Sequence, residues 1–403
     1  MLWLVSDRAT TGRGRETGPS FPQVIENIRN NPMDIITRII IFTLGVSLAG
    51  WTLLSAIRSF VLPRSDNVFL TRITFQCLLE IFQLRLKFAK KDYETRDRIL
   101  ALFSPIGLLL MPVVWIMFVM AGYTGMFLAL EPELPLTDPQ AWYNAFWLSG
   151  SSLLTLGFAP ADNLAEMILT FSEATIGLGL VALLIAYLPT MHDAFTKREA
   201  AVTMLEIRAG SPPSAVEMLI RMHRISGLDY LPEVWPRWEQ WFVDVEQSHT
   251  SHAPLIFFRA PHPWQSWVVA AGTILDAAAL TASTLALPRD PQAELCIRAG
   301  YLTLRNIVDF MNIPYNANPK PDDPISVTRA EYEAVVDRLA AAGVPIKADR
   351  EQAWRDFAGW RVNYDDVLLL LAGMTMAPSA PWSGDRALRF VPTMFRRRRP
   401  AKI

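Results

Sequence analysis

Three long stretches of the chain are almost entirely apolar, and all of them lie before residue 192. The first runs from Ile39 to Ile57 and the second from Ile99 to Leu130, and neither contains a charged residue. The third runs from Met167 to Met191 and contains one charge, Glu173. A helix needs about 20 apolar residues to cross a bilayer. The pattern therefore predicts three transmembrane helices.

The loops between these stretches differ sharply in charge. Residues 63–98 hold a set of basic residues: Arg64, Arg72, Arg85, Lys87, Lys90, Lys91, Arg96 and Arg98. Residues 123–165 hold no Lys or Arg, and their acidic residues are Glu131, Glu133, Asp138 and Asp162. Because cytoplasmic loops carry an excess of Lys and Arg, we expect residues 63–98 and the chain after 192 to be cytoplasmic. The acidic loop and the N-terminal segment, 1–33, are then expected outside.

The basic linker also carries apolar residues at roughly helical spacing: Phe69, Ile73, Leu78, Leu79, Phe82 and Leu86. This spacing predicts an amphipathic helix. Such a helix either lies in the membrane interface or packs on the soluble half of the chain, and the pattern does not choose between the two.

The second half, residues 195–403, has the pattern of a helical soluble domain with proline-containing breaks. Residues 264–287 are apolar enough for a fourth span, but Asp276 and many small residues favour a buried core helix. His249 and His252 lie in a segment predicted as a loop, and no carboxylate or cysteine accompanies them at ligand spacing. We therefore expect no metal site there. Asp365 and Asp366 are expected in a solvated helix end.

Composition narrows the classes of function. The net charge of the 403 residues is −1, and a general nucleic-acid binder needs a clustered basic surface. Cys77 and Cys296 are too far apart for a metal or redox motif. No nucleophile elbow, phosphate-binding glycine loop or zinc signature is present. We therefore expect neither an enzyme nor a bound cofactor.

The acidic external loop contains an aromatic, uncharged stretch from Ala141 to Leu154. Asp138 and Pro139 precede it as an N-cap and a first helical residue, so a short helix is predicted. An extended segment follows, from Thr155 to Pro160. Non-helical backbone at membrane depth survives only where it is buried in protein or lines a watery path. The pattern predicts a re-entrant loop, although an external hairpin that joins two anchoring helices is the alternative.

This region resembles the pore of the potassium-channel superfamily, over roughly residues 100–195. The residues that match the family's pore helix and filter directly are Trp147, Ser149, Thr155 and Gly157. The conservative replacements are Ser152, Leu156 and Phe158. Gly179 lies 22 residues after Gly157, at the spacing of the family's hinge glycine in the inner helix.

The resemblance implies a selectivity filter formed by Thr155, Leu156, Gly157, Phe158 and Ala159. Their carbonyl oxygens would replace the hydration shell of a conducted potassium ion, and Gly157 would allow a turn that a side chain opposes. One loop cannot encircle an ion, so a homotetramer in the cell membrane is expected, with an unidentified cytoplasmic ligand or partner.

Three further residues have two interpretations each. Glu173 is an acid inside a span, which suggests a role in the cavity or in bracing the filter. It could equally be a protonated or hydrogen-bonded residue packed between subunits. Gly177 and Gly179 are candidates for a gating hinge, although glycine in membrane helices also allows close packing.

Two departures from the family pattern affect the predicted function. Ala159 stands where the family has a second filter glycine, and Pro160 where it has an acid. If position 159 needs a positive φ, alanine costs about 1–2 kcal/mol per chain. A non-conducting membrane sensor or scaffold is therefore the alternative to a cation channel. A potassium-uptake transporter would need four pore repeats, and the chain has one.

The prediction is thus an all-α membrane protein with three transmembrane helices, a pore helix and filter loop, and a helical cytoplasmic domain. Its expected segments are an external N-terminal segment, a first span, a linker, a pore module and a cytoplasmic domain: 1–33, 34–62, 63–98, 99–194 and 195–403.

Overall fold

The structure is a computed structural model that describes residues 32–60, 69–88, 92–131 and 134–388. These residues are mostly α-helical, and none of them belongs to a β-strand. The helices α1 to α13 are, in chain order, Pro32–Phe60, Phe69–Phe88, Tyr93–Ala101, Phe103–Leu130, Pro139–Leu153, Leu164–Ala209, Ala215–Ile225, Leu231–Ser251, Trp267–Ser283, Pro291–Phe310, Arg329–Ala341, Arg350–Arg361 and Asp365–Met374. The predicted all-α fold is confirmed for this part of the chain. Residues 1–31 of the predicted N-terminal segment lie outside the described residues.

Three helical stretches are long and apolar enough to cross a membrane: Met33–Phe60, Tyr93–Leu130 and Leu164–Ala209. Each contains one of the three predicted spans, so the helices are compatible with a membrane protein. Helix α6 has 46 residues and continues through Pro189 without a break. At 1.5 Å per residue it is about 69 Å long, roughly twice the thickness of a bilayer core.

The chain divides into two compact units. One unit contains the residues up to 53 together with 115–180, and the other contains 54–114 together with 181–403. Helices α1, α4 and α6 each contribute to both units.

In the first unit, α1 and α4 pack closely in antiparallel directions. A methyl group added to Gly45 would overlap the carbonyl oxygen of Gly122, and one added to Gly122 would lie 2.8 Å from that of Gly45. Small residues let membrane helices approach in this way. Near the start of α1, the Arg38 guanidinium donates to the carbonyl oxygens of Leu128 and Leu134, at 3.3 and 2.9 Å. Arg38 thus satisfies one carbonyl oxygen in the last turn of α4, which has no partner within the helix, and one in the loop that follows.

The core of the second unit surrounds α9, whose residues are buried along nearly the whole helix. The expected core helix at 264–287 is therefore confirmed, with bounds of Trp267–Ser283. Several tryptophans also fill this core, among them Trp235, Trp238 and Trp241.

A buried ionic cluster joins α9 to α12 and α13. Arg361 is fully buried and pairs with Asp276 and, at 2.7 Å, with Asp365. The Tyr364 hydroxyl donates to Asp276 at 2.9 Å. The expectation that Asp365 is solvated is therefore wrong. The residue does open a helix, but its carboxylate is buried against an arginine four residues earlier in the chain.

One face of helix α2 packs within the second unit. Leu78 and Phe82 form a cluster with Phe103 of α4, and the Phe257 ring lies 5.7 Å from that of Phe103. Because this face contacts both a predicted span and the second half of the chain, it does not choose between the two interpretations of the linker. The opposite face is apolar and exposed.

Candidate functional site

Helix α5 begins as predicted. The Asp138 carboxylate accepts a hydrogen bond from the backbone amide of Gln140, and Pro139 occupies the first turn. Proline suits this position because its missing N–H would have no partner inside the helix. Helix α5 then runs for 15 residues, about 22 Å, and ends at Leu153. Asp138 is therefore the N-cap of α5, and its carboxylate also adds negative charge to the loop.

The segment after α5 has two residues with positive φ. Gly157 has a φ of 71°, which confirms that this position requires a conformation that side chains oppose. Thr155 has a φ of 54° although its side chain is β-branched. This conformation costs about 1–2 kcal/mol, and such strain is often found at functional sites. Ala159 has no positive φ, so the alanine at this position is not strained.

Ser151, a residue that the sequence analysis did not single out, organises this segment. Its carbonyl oxygen accepts from the amides of Leu156 and Gly157, at 2.8 and 3.4 Å. Its hydroxyl oxygen accepts from the amides of Phe158 and Ala159, at 3.1 and 3.2 Å. Four consecutive amides are therefore bound to one serine near the end of α5.

The carbonyl oxygens of the same segment have no such partners. No hydrogen bond among the described residues ends on the carbonyl oxygen of Thr155, Leu156, Gly157 or Phe158. The Leu156 and Phe158 side chains are 57% and 50% exposed. Because carbonyl oxygens are strong acceptors, this row can bind water or a dehydrated cation.

Aromatic residues support the outer part of the segment. The Phe158 ring lies 4.6 Å from that of Trp147, which stacks on Tyr143 with 5.7 Å between ring centroids. These three side chains remain about half exposed. The face of α5 that carries Tyr143 and Trp147 is therefore available for a neighbouring chain or for lipid.

Glu173 lies on the other side of α5 and is completely buried. Its Oε1 accepts a 2.6 Å hydrogen bond from the Ser149 hydroxyl, while its Oε2 has no partner among the described residues. The Ser149 hydroxyl also lies 3.2 Å from the carbonyl oxygen of Met120 in α4. Glu173 does not face an open space in this chain. Its contacts join α6 to α5, which agrees with the bracing interpretation rather than with the cavity one.

The two glycines of α6 have different surroundings. A methyl group on Gly177 would overlap the backbone carbonyl oxygen of Leu153, whereas one on Gly179 would meet nothing within 4 Å. Gly177 is therefore required for the close approach of α6 to the end of α5. Gly179 has no such steric role in this chain.

In the second unit, Arg198 of α6 is buried and binds several acceptors. It donates to the carbonyl oxygens of Leu255 and Phe258, each at 2.7 Å, and its Nη1 lies 3.0 Å from His249 Nε2. Because arginine only donates, His249 Nε2 must be the acceptor. The prediction of a loop at His249 is wrong, since the residue is buried near the end of α8.

The remaining titratable groups add little to the site. No group of three or more His, Cys, Asp or Glu within the described ranges is arranged to hold a metal ion. Glu133, one of the four acids expected near the filter, lies outside the described residues. The Asp162 amide donates to Glu166 at 2.9 Å, at the start of α6.

The sequence-predicted residues thus fall into two groups, and Gly179 belongs to neither. Residues 155–159 form one segment around Ser151, while Glu173 and Gly177 contact the body and end of α5 from α6. The position of Ser151, a few residues before a glycine-containing segment, was the only feature of the sequence that could have indicated its role as a hydrogen-bond acceptor for the loop.

Comparison with known proteins identifies no relative. No protein-family model, no curated protein and no solved structure matches the chain.

Proposed function

We propose that the chain is the subunit of a homotetrameric cation channel, similar to the potassium-channel superfamily, that conducts potassium through residues 155–159. The bonding of this segment carries the proposal. The amides of residues 156–159 are bound to Ser151, and the carbonyl oxygens of Thr155 to Phe158 accept no hydrogen bond from the described residues. An ion that leaves its hydration shell needs such a row of carbonyl oxygens.

Four chains are required because one loop supplies one side of an ion path. The exposed aromatic face of α5, which includes Trp142, Phe146 and Trp147, offers apolar surface for contacts between neighbouring copies. Without a partner or lipid, exposed aromatic side chains at this density would be costly.

A filter also needs a rigid support. The buried Ser149–Glu173 hydrogen bond and the close approach of Gly177 to Leu153 hold α5 against α6. Side chains that hold the supporting elements keep coordinating groups in position. In this proposal Glu173 braces the filter and does not itself bind the conducted ion.

The cytoplasmic half would control opening through α6. This helix runs unbroken from Leu164 to Ala209, and Arg198 ties its later part to the backbone at Leu255 and Phe258. A displacement of that backbone by a cytoplasmic ligand would therefore act on α6, with Gly179 as the candidate hinge.

The proposal places the protein in the cell membrane as a multi-pass protein. The pore loop would lie outside and the second half in the cytoplasm, because the basic residues of 63–98 favour the cytoplasmic side. It assigns no catalytic step, cofactor or nucleic-acid partner to the chain.

The alternative function is a non-conducting membrane sensor or scaffold that keeps the pore fold. Ala159 and Pro160 favour it, since they replace the second filter glycine and the acid of the family pattern. The absence of a positive φ at Ala159 removes strain as an objection to conduction, but the outer filter would still differ in shape.

The decisive experiment measures reversal potentials of the purified full-length protein in planar bilayers with mixed potassium and sodium. The native chain is expected to conduct potassium selectively. Gly157→Ala places a side chain at φ 71°, which costs about 1–2 kcal/mol in each chain, so selectivity should be lost. Gly150→Ala is the matched control, because its methyl group would meet only the Met120 sulfur, at 3.9 Å.

Two results would count against the proposal. Equal selective currents from the native chain and Gly157→Ala would contradict the filter assignment. No cation flux from a folded tetramer, with or without candidate ligands, would favour the sensor or scaffold.

A further inference from the structure

Helix α2 has a second apolar face that nothing in the described chain covers. The residues of this exposed stripe follow one another at intervals of three or four: Ile73, Cys77, Ile81, Leu84 and Phe88. Ile81 is 62% exposed and Phe88 is 84% exposed. Five residues at this spacing form one continuous strip along the helix.

The stripe cannot turn inward, because the adjacent face of α2 is already packed. Leu70, Leu78 and Phe82 are buried, and the Phe82 ring lies 5.5 Å from that of Phe103 in an edge-on contact. Four polar residues of α2 also follow one another at intervals of three or four and form one polar strip: Gln76, Glu80, Gln83 and Lys87. Helix α2 thus has one apolar face packed on protein and a second apolar face that is exposed. Such a helix is suited to a place between protein and lipid rather than in water.

The position of α2 places the stripe at the ends of two apolar helices. The Ser59 hydroxyl near the end of α1 lies 2.8 Å from the Thr71 hydroxyl in the first turn of α2. Near the start of α4, the Phe75 ring lies so close to Gly107 that a methyl group there would be 2.5 Å from it. Helix α2 therefore lies at the level where α1 ends and α4 begins.

The stripe continues the exposed apolar surface of those two helices. Ile57 of α1 and Ile106 of α4 are also exposed, and both belong to stretches long and apolar enough to cross a membrane. Three exposed basic residues lie near the end of α1 and in the last turn of α2: Arg58, Arg85 and Lys87. An apolar strip with exposed basic residues beside it matches the boundary between acyl chains and anionic headgroups.

We propose that α2 lies in the surface of an anionic lipid bilayer, with the stripe from Ile73 to Phe88 facing the acyl chains and the strip at Gln76, Glu80, Gln83 and Lys87 facing water. This inference goes beyond the proposed function. It requires that the chain is embedded in a membrane, but it does not require that the chain conducts ions.

The native cysteines allow a direct test. Cys77 is exposed on the stripe, whereas Cys296 is buried and can be removed by Cys296→Ser. The full-length protein is labelled at Cys77 in detergent with an environment-sensitive NBD dye and reconstituted into phosphatidylcholine–phosphatidylglycerol vesicles. Quenching is then measured with doxyl-labelled lipid and with aqueous iodide. The matched control is Glu80→Cys in a Cys77→Ser background, because Glu80 is exposed on the polar strip of the same helix.

The dye at Cys77 is expected to be quenched by doxyl lipid and to be at least several-fold less sensitive to iodide than the dye at Glu80→Cys. Ile81→Cys in the Cys77→Ser background should behave like Cys77, which guards against a local effect of one label. Iodide quenching at Cys77 equal to that of the control would overturn the proposal, because the stripe would then face water. Protection from both quenchers would overturn it as well, since another protein surface would then cover the stripe.

Discussion

At the scale of single residues, the loop after α5 depends most on Ser151. Its hydroxyl accepts from the amides of Phe158 and Ala159, and a serine hydroxyl has two lone pairs for this purpose. Alanine would keep the carbonyl bonds to Leu156 and Gly157 but lose both hydroxyl bonds. A net hydrogen bond contributes about 1 kcal/mol.

Ser151→Ala is therefore expected to speed amide exchange at Phe158 and Ala159 by roughly tenfold or more, since tenfold corresponds to about 1.4 kcal/mol. Hydrogen exchange with mass spectrometry on the full chain in nanodiscs measures this. Ser152→Ala is the control, because among the described residues the Ser152 hydroxyl bonds to the carbonyl oxygen of Leu148 within α5 and to no residue of the loop. Equal exchange in the two variants would contradict the assigned role of Ser151.

The stability of the folded protein is expected to depend on pH through a second residue, His249. Burial, together with the nearby Arg198 guanidinium, holds the pKa of His249 well below 6.5. Because the unfolded residue has a pKa near 6.5, the unfolded chain binds more protons below that pH. Stability should therefore be full above pH 6.5 and decrease as the pH falls.

His249→Gln keeps an acceptor for Arg198 but does not titrate, so it should lose less stability than the native chain between pH 7.5 and 5.5. The expected difference is about 1 kcal/mol. Unfolding of the detergent-solubilised protein, followed by tryptophan fluorescence at both pH values, measures it. The exposed His262 offers a control, and His262→Gln should follow the native chain. A native-like pH dependence in His249→Gln would refute the assignment of a neutral imidazole.

At the scale of elements, the contact between α5 and α6 depends on a single glycine. A methyl group at Gly177 would overlap the carbonyl oxygen of Leu153. This oxygen belongs to the backbone, so it cannot move aside as the end of a flexible side chain could. Gly179 lies two residues further along α6, and a methyl group there would meet nothing within 4 Å among the described residues outside its own helix. The two positions separate a packing role from a hinge role.

We expect Gly177→Ala to lower the thermal midpoint of the detergent-solubilised protein and Gly179→Ala to leave it unchanged or slightly raised, since alanine favours helix. Overpacking of this kind costs about 1–3 kcal/mol. If Gly179 is a gating hinge, Gly179→Ala should alter open probability without altering stability. A normal midpoint in Gly177→Ala would show that α6 is not held against Leu153.

At the scale of the whole molecule, the proposed channel must be an assembly. One chain contributes one row of carbonyl oxygens, and its α5 leaves Trp142 and Phe146 about half exposed. Native mass spectrometry of the protein released from nanodiscs is expected to give a mass of four 45.4 kDa chains. Gly157→Ala should also give a tetramer, because a methyl group at Gly157 would meet nothing within 4 Å in the described chain. A monomer or dimer under these conditions would rule out a central ion path formed by residues 155–159.

Local features were predictable from the sequence because they depend on neighbouring residues. The apolar runs identify the three long apolar helices, since their length and lack of charge are properties of continuous segments. Asp138 and Pro139 predict the start of α5 because a cap involves only the next few amides. The positive φ of Gly157 agrees with the turn that the resemblance implies at this glycine.

Other features depend on which segments meet, and the sequence does not contain that information in local form. Asp365 has the pattern of a solvated helix end, yet its carboxylate is buried in an ion pair with Arg361. His249 lies in a polar stretch, yet α8 extends past it and brings it to Arg198. In each case the partner is distant in the chain or belongs to another helix, so its burial could not be inferred from spacing.

The sequence by itself thus determined the helical class, the three apolar helices, the cap of α5 and the glycine turn, because periodicity, composition and backbone sterics act over a few residues. Only the tertiary structure decided that four amides bind Ser151, that Glu173 bonds to Ser149 inside one chain, and that α2 keeps an exposed apolar stripe. The bonds to Ser151 join residues five to eight positions apart, so they depend on the conformation of the whole loop. The other two features arise from the packing of helices against each other, where the position of one side chain depends on residues far away in the sequence.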